Sequence, residues 1–150
     1  MKKVEPAKVI VIVMILLTAA AAVFHLVTRN AVPAGTLRIE HGDQVLELPL
    51  ERLKLADVQG TVINGRGEER TVDAQGILLS QILREAGIME FSEVTVTADD
   101  EYSARITAEE VAEADKVYLI RQEEGGMQLI VFGDSNSKRN VSNAVCLSVR

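Results

Sequence analysis

The densest group of polar side chains outside the predicted helices lies in residues 133–142. A carboxylate, two cations and two amides are available there, on Asp134, Asn136, Lys138, Arg139 and Asn140. Adjacent cations flanked by amide donors suit the oxygens of a carboxylate or a phosphate. We therefore predict that these five residues bind a small anionic ligand or a partner protein. The alternative is a purely structural loop, whose cations only pair with neighbouring acids at little energetic gain.

Residue types that support catalysis are sparse after residue 35. One histidine, His41, falls in a predicted turn, and one cysteine, Cys146, falls in a predicted strand. A single cysteine excludes an internal disulfide and a multi-cysteine zinc site. No Gly-x-Ser-x-Gly motif occurs, residues 65–67 are typical of a hairpin turn, and the acids at 99–101 lack the spacing of a calcium loop. We predict no catalytic residue and no metal ligand.

The polar loop is predicted to connect two strands. Residues 129–132 form a short apolar run, which is typical of a buried strand. After the loop, Val145, Leu147 and Val149 alternate with polar or small residues, the period-two pattern of a strand with one buried face. Strands in the core would hold both ends of the loop, which lowers the cost of ordering it around a ligand.

The rest of the domain is also rich in predicted strands. Strict alternation at 36–40 and 44–48 predicts a hairpin whose apolar face contains Leu37, Ile39 and Val45, with Leu48 as a further candidate. The other predicted strands lie at 58–63, 68–72, 92–97, 102–106, 117–121 and 127–132.

Two short helices are predicted among these strands. The first covers 77–86, where apolar residues recur at helical spacing and Gly87 follows as the terminating glycine. The second starts after Thr107, which has capping-box spacing to Glu110, and ends near Ala114. Because helices and strands do not alternate regularly, we predict an α+β domain of mostly antiparallel strands.

The segment before the domain has a different character. Residues 9–27 contain no Asp, Glu, Lys or Arg. As a helix they would span roughly 28 Å, close to a hydrocarbon core of about 30 Å. Three lysines precede this segment and only Arg29 follows closely, so the positive-inside rule places the N-terminus in the cytoplasm. The alternative is a cleaved signal peptide, whose apolar region is normally only about 7–15 residues.

The predicted organisation therefore has four parts. Residues 1–8 form a cytoplasmic tail, 9–27 a transmembrane signal anchor, 28–35 a linker and 36–150 an extracytoplasmic domain. The net charge is +3 before Gly35 and −9 from Gly35 onward. So acidic a domain is a poor candidate for nucleic acid, whose phosphates need a basic patch. The predicted partners are the cell membrane, through residues 9–27, and an unknown protein or small anion outside it.

Several segments match the pattern of a known family in their order. Residues 76–87, Gly-Ile-Leu-Leu-Ser-Gln-Ile-Leu-Arg-Glu-Ala-Gly, are similar to a Gly-Val-Pro-Leu-x-x-Leu-Leu-x-x-Ala-Gly helix. Residues 94–102, 126–133 and 141–149 look like the strands that follow it. Over about residues 48–149 the chain resembles the molybdopterin-binding domain of the sulfite oxidase family. The resemblance implies a sulfite-oxidase-like fold and a relationship to molybdopterin-dependent oxidoreductases.

The sequence departs from that family at the metal ligand. The resemblance places the molybdenum-ligating cysteine just after a strand that ends near Ile63 and Asn64, where no cysteine occurs. The family's Lys-Trp pair near the end falls at Ser142 and Asn143. Since a soft thiolate ligand cannot be replaced by Asn or Gly, we expect no cofactor. We expect a non-catalytic binding module accessory to a redox system; the alternative is a divergent molybdopterin-dependent oxidoreductase.

Overall fold

The computed structural model describes residues 13–20, 34–135 and 137–150. The chain divides into two units, Met1–Ala31 and Val32–Arg150. In the first unit, residues 13–20 are helical and exposed, and the Thr18 hydroxyl donates to the Met14 carbonyl at 2.8 Å. No helix within the described ranges is long and apolar enough to cross a membrane. The predicted span at 9–27 lies mostly outside the described residues and stays a prediction.

The described part of the second unit contains nine strands in two sheets. Sheet A consists, in spatial order, of β2 (Gln44–Pro49), β1 (Thr36–His41), β9 (Ala144–Val149), β5 (Glu93–Ala98) and β6 (Ser103–Thr107). Sheet B consists of β3 (Ala56–Ile63), β4 (Glu69–Leu78), β7 (Val117–Arg121) and β8 (Met127–Val131). All neighbouring strands are antiparallel except β1 and β9. The predicted α+β class with mostly antiparallel strands is confirmed.

Two short α-helices accompany the sheets, α1 (Leu79–Glu85) and α2 (Ala108–Ala112). Gly87 ends the first helical segment in the left-handed region, at φ 76°. The capping box of α2 is formed as predicted: Glu110 N–H donates to Thr107 Oγ1 at 3.3 Å, and Thr107 N–H donates to Glu110 Oε2 at 3.1 Å. Single 3-10 turns lie at Leu50–Arg52 and Ser137–Arg139.

One hydrophobic core is shared by the two sheets and α1. It is built from aliphatic side chains, as a domain with few aromatic residues requires. Each fully buried Leu or Ile contributes about 1.5–3 kcal/mol. Among the most deeply buried members are Leu37, Ile82, Val94, Leu119, Leu129 and Leu147. Leu147 belongs to β9, the strand that joins β1 to β5, so the segment after the polar loop is central to sheet A.

A second, smaller hydrophobic cluster lies on the opposite face of sheet B. Ile120 of β7 and Ile130 of β8 alternate with core residues and pack there against valines of the β3–β4 hairpin. Only the last residues of β4, from Gly76 to Leu78, pair with β7. The rest of the hairpin therefore folds over the outer face of β7 and β8.

A close contact fixes this folded-over hairpin. A Cβ placed on Gly60 would lie within 2.6 Å of Phe132 Cδ1, so the Phe132 ring packs directly on the glycine backbone. The ring of Tyr118 meets Phe132 edge-on, with centroids 5.6 Å apart. The absence of a side chain at Gly60 is thus what lets the hairpin approach the sheet.

The prediction that Val45 belongs to the buried face of the first hairpin is wrong. Val45 pairs with Glu40, and 54% of its surface is exposed. Leu37 and Ile39 are buried as predicted, but their partners on β2 are Leu48 and Leu46. The physical reason is the register, because pairing of His41 with Gln44 leaves a two-residue turn.

The predicted start of the first helix is also wrong. Ile77 and Leu78 belong to β4 and pair with Leu119 and Tyr118 of β7. Both residues are apolar and immediately precede the helical stripe, but their backbone hydrogen bonds go to a neighbouring strand instead. Tertiary pairing therefore overrides the local pattern for the first two residues, and α1 begins at Leu79.

Candidate functional site

The polar loop between β8 and β9 is organised around Arg139. Its Nε donates to Asp134 Oδ2 and its Nη1 donates to Glu110 Oε1, each at 2.6 Å. The guanidinium is about a quarter exposed, and both carboxylates are more buried than it is. The two contacts link the loop to the first turn of α2, from which Glu110 projects.

The charges of this cluster stabilise one another. The hydrogen bonds that Arg139 donates, to Asp134 and then to Glu110, raise the pKa of Arg139 against the effect of burial. Burial alone would raise the pKa of Glu110, but the Thr107 N–H and the Arg139 guanidinium outweigh it and hold that pKa below its usual value. Both groups are therefore charged at neutral pH.

Further contacts hold the backbone of the loop. The hydroxyl of Tyr102, the residue before β6, donates to the Lys138 carbonyl. Leu129 N–H of β8 donates to the Val141 carbonyl at 2.8 Å, and Val141 is fully buried. Gly133 turns the chain out of β8 with φ 73°. These contacts join the loop to β6, β8 and α2.

The structure places four of the five predicted site residues. Asp134 and Asn140 are half-buried, Lys138 is exposed, and Arg139 is engaged by two acids. Asn136 lies outside the described residues. The geometry around Arg139 favours a structural role for that residue over ligand binding, because its guanidinium donates to acids of the same domain. Ligand binding by this loop stays a prediction.

Cys146 lies in a polar network on the outer face of sheet A. Its Sγ is 3.9 Å from Ser148 Oγ, which donates to Glu40 Oε2 at 3.3 Å. Arg38 Nε is 3.1 Å from Glu40 Oε1, with the geometry of an ion pair rather than of a hydrogen bond. Burial raises the pKa of the Cys146 thiol, although Ser148 opposes this. A thiol with a raised pKa is a weak nucleophile and a weak metal ligand at neutral pH.

Asn64 lies at the end of the strand after which the sulfite oxidase resemblance puts the metal-binding cysteine. Its Oδ1 accepts hydrogen bonds from Arg66 N–H at 2.9 Å and Glu68 N–H at 3.0 Å. Its Nδ2 donates to Glu68 Oε2 at 2.9 Å. The side chain thus closes the β3–β4 turn in sheet B, whereas Cys146 lies in sheet A. These residues do not fit a molybdenum centre of the family's type.

An open apolar groove of about 680 Å³ lies between α1, α2 and the segment that follows α1. We call it the helix groove. Leu83 and Val111, both buried, contribute to its walls, together with half-buried Phe91. Met89 has 72% of its surface exposed. The helix groove is therefore an apolar surface that the described residues leave open to solvent.

The edge of the helix groove is predominantly acidic. Glu90, Glu113 and Asp115 line it, with Arg84 as the basic residue among its lining residues. Glu113 accepts from Lys116 at 2.7 Å, and Asp115 accepts from the Tyr118 hydroxyl at 2.9 Å. An apolar floor with an acidic edge suits an apolar segment that carries positive charge beside it.

Sequence reasoning missed the helix groove. The sequence indicates the groove only through Met89 and Phe91. These two apolar residues follow Gly87, which ends the helix, and so cannot belong to the apolar face of α1. The sequence does not reveal that Ile88, between them and the helix, turns into the core while Met89 stays exposed. The weak apolar pattern of α2, which forms the opposite wall, gave no indication either.

A second depression, of about 630 Å³, is polar. Arg70 and Arg121 contribute positive charge, and Asp73, Glu123 and Glu124 contribute negative charge. Its lining is polar and its two cations nearly balance its three carboxylates, so neither apolar surface nor net charge selects a class of ligand there.

Among the described residues, no group of three or more His, Cys, Asp or Glu side chains is placed to hold a metal ion. No protein-family model matches the chain. The comparison with curated proteins gives no significant match either.

Proposed function

We propose that this chain is a non-catalytic binding module, anchored in the cell membrane by residues 9–27, with its domain at 36–150 on the extracytoplasmic side. The helix groove carries the proposal. Met89 exposes 72% of its surface beside Phe91 and the apolar walls of the two helices. Contiguous apolar surface with a polar edge marks interaction sites in folded domains.

The fold within this proposal is that of the molybdopterin-binding domain of the sulfite oxidase family. The order of elements supports it, since β4 runs directly into α1, whose sequence is similar to the family's helix, and β5, β8 and β9 follow. The chemistry of Asn64 and Cys146 supports binding rather than molybdenum chemistry. A domain of this kind would act as an accessory to a redox system, by contact with another protein.

Site-specific photo-crosslinking in intact cells tests the proposal. A photoreactive residue in place of Met89 should yield a discrete, larger product in the membrane fraction. The matched control is the same residue in place of Val45, which is comparably exposed but lies on the edge strand β2. Equal or absent products at the two positions would contradict a binding function centred on the helix groove.

A further inference from the structure

The helix groove is suited to binding one face of a helical segment. Two helices, α1 and α2, flank it, and Met89 and Phe91 lie beside the apolar surface between them. Its volume of about 680 Å³ falls in the range of pockets that bury several apolar groups. Because the groove is open to solvent, an occupant larger than the groove can extend beyond it. Amphipathic helices bind grooves of this type through residues at i, i+3 or i+4, and i+7.

The charge around the helix groove selects among such segments. Three carboxylates, on Glu90, Glu113 and Asp115, lie on it against one guanidinium, on Arg84. Since Lys116 pairs with Glu113 at 2.7 Å, the negative charge left on the groove comes from Glu90 and Asp115. The domain as a whole carries −9 from Gly35 onward. An acidic partner would meet repulsion at both short and long range, whereas a basic one is attracted. We infer that the helix groove binds an amphipathic helix of a partner protein whose apolar face is flanked by Lys or Arg, an inference that rests on the proposed function.

The wall formed by α2 is held in place before any partner arrives. Glu110, in its first turn, is fixed by the capping box with Thr107 and by Arg139 of the β8–β9 loop. A fixed wall reduces the ordering cost of binding. Arg139 therefore acts as a positioning residue for the groove without lining it.

A designed peptide supplies the probe. It has about 18 residues, Leu at the positions of one helical face, Lys on the flanks and a single Trp among the leucines. The full chain contains no Trp, so in phosphatidylcholine vesicles, which add no protein, Trp fluorescence reports the peptide alone. Empty vesicles correct for binding to lipid. A second peptide with Glu in place of every Lys tests the charge requirement.

The Lys peptide should bind the chain with a micromolar Kd that rises with salt. The Glu peptide should bind at least about tenfold more weakly. Met89→Glu should weaken binding of the Lys peptide at least about tenfold, and Val45→Glu should leave its affinity unchanged. Glu90→Lys at the edge should reduce the preference for the Lys peptide. It serves as a second variant if Met89→Glu disturbs folding.

Two results would overturn the inference. One is equal binding of the Lys and Glu peptides; the other is an equal effect of Met89→Glu and Val45→Glu. If the peptide fails while a crosslinked product specific to position 89 forms in cells, the binding function stands and the occupant is of another chemistry. If both fail, the proposed function fails with the inference.

Discussion

Arg139 is positioned to connect parts of the chain that are distant in sequence. Its guanidinium contacts Asp134 in its own loop and Glu110 on α2, both at 2.6 Å. Charge-assisted hydrogen bonds of this kind contribute more when water is partly excluded. Removal of the cation would leave two half-buried carboxylates without its positive charge between them.

Substitution Arg139→Met should therefore lower the free energy of unfolding by about 1–2 kcal/mol, because two charged hydrogen bonds are lost while the apolar stem is kept. Urea unfolding of the full chain in mild detergent, followed by circular dichroism, measures this. Arg105→Met is the control, since Arg105 is exposed on β6. A loss no larger than that of the control would show that the cluster contributes little to stability.

The same variant should change how stability depends on pH. The pKa of Glu110 lies below its usual value of about 4.5, so its charged form contributes stability above that pH. This contribution is lost as the pH falls through the lowered pKa. The difference in the free energy of unfolding between the native chain and Arg139→Met should be largest near neutral pH. It should shrink below about pH 4.5. A difference that stays constant from pH 7 to about pH 3 would contradict the assignment.

The candidate site could be predicted only in part, and Arg139 shows why. Asp134 lies five residues before Arg139, so their proximity follows from loop formation alone. Glu110 lies 29 residues away and reaches Arg139 only because α2 follows β6 next to the loop. The sequence shows which side chains can pair. Tertiary packing determines whether Arg139 contacts a ligand or an acid of the same domain.

At the scale of elements, the β3–β4 hairpin depends on the lack of a side chain at one position. Gly60 lies against the Phe132 ring, and this contact brings Val58, Val62 and Val72 onto the outer face of sheet B. A side chain at Gly60 must displace the ring or lift the hairpin.

Gly60→Ala should lower the free energy of unfolding by about 1–3 kcal/mol, as expected of overpacking. Phe132→Leu in the same chain should recover part of the loss, because the smaller side chain leaves room for the new methyl group. The non-additivity in a double-mutant cycle should be at least about 0.5 kcal/mol. Thr71→Ala, at an exposed position of the same hairpin, is the control. Strictly additive effects would show that the contact does not govern the hairpin.

The elements themselves were largely predictable, because each has a strong local pattern. Alternation predicts β1 and β2, and the Thr107 capping box predicts α2. The wrong predictions concern residues whose positions are set by strand pairing. Val45 lies on the outer face because a tight turn sets the register, and Ile77 extends β4 because β7 offers hydrogen bonds. The partner of Val45, Glu40, is local, so that error is one of register, whereas Leu119, the partner of Ile77, lies 42 residues further along the chain.

At the scale of the whole molecule, the first expectation concerns topology. Protease added to right-side-out spheroplasts should digest the domain at 36–150, since Lys2, Lys3 and Lys8 favour a cytoplasmic N-terminus. A cytoplasmic marker protein must stay intact as the control. Protection of the domain until the membrane is disrupted would place it inside the cell.

The second expectation concerns the cofactor. Chain purified from a host supplied with molybdate should contain neither stoichiometric molybdenum by elemental analysis nor pterin fluorescence. The reason is the absence of a cysteine just after β3 and the raised pKa of Cys146. Molybdenum at one atom per chain would establish the oxidoreductase alternative instead.

The place of β9 in sheet A also sets when the domain can fold. β9 lies between β1 and β5, yet it is synthesised after every other strand of both sheets. Until it leaves the ribosome, the β1–β2 and β5–β6 hairpins have no strand to join them, and Leu147 is missing from the core. Folding around such distant contacts is slow. Sheet A therefore stays incomplete until β9 has been synthesised, which makes its closure a late step in the folding of the domain.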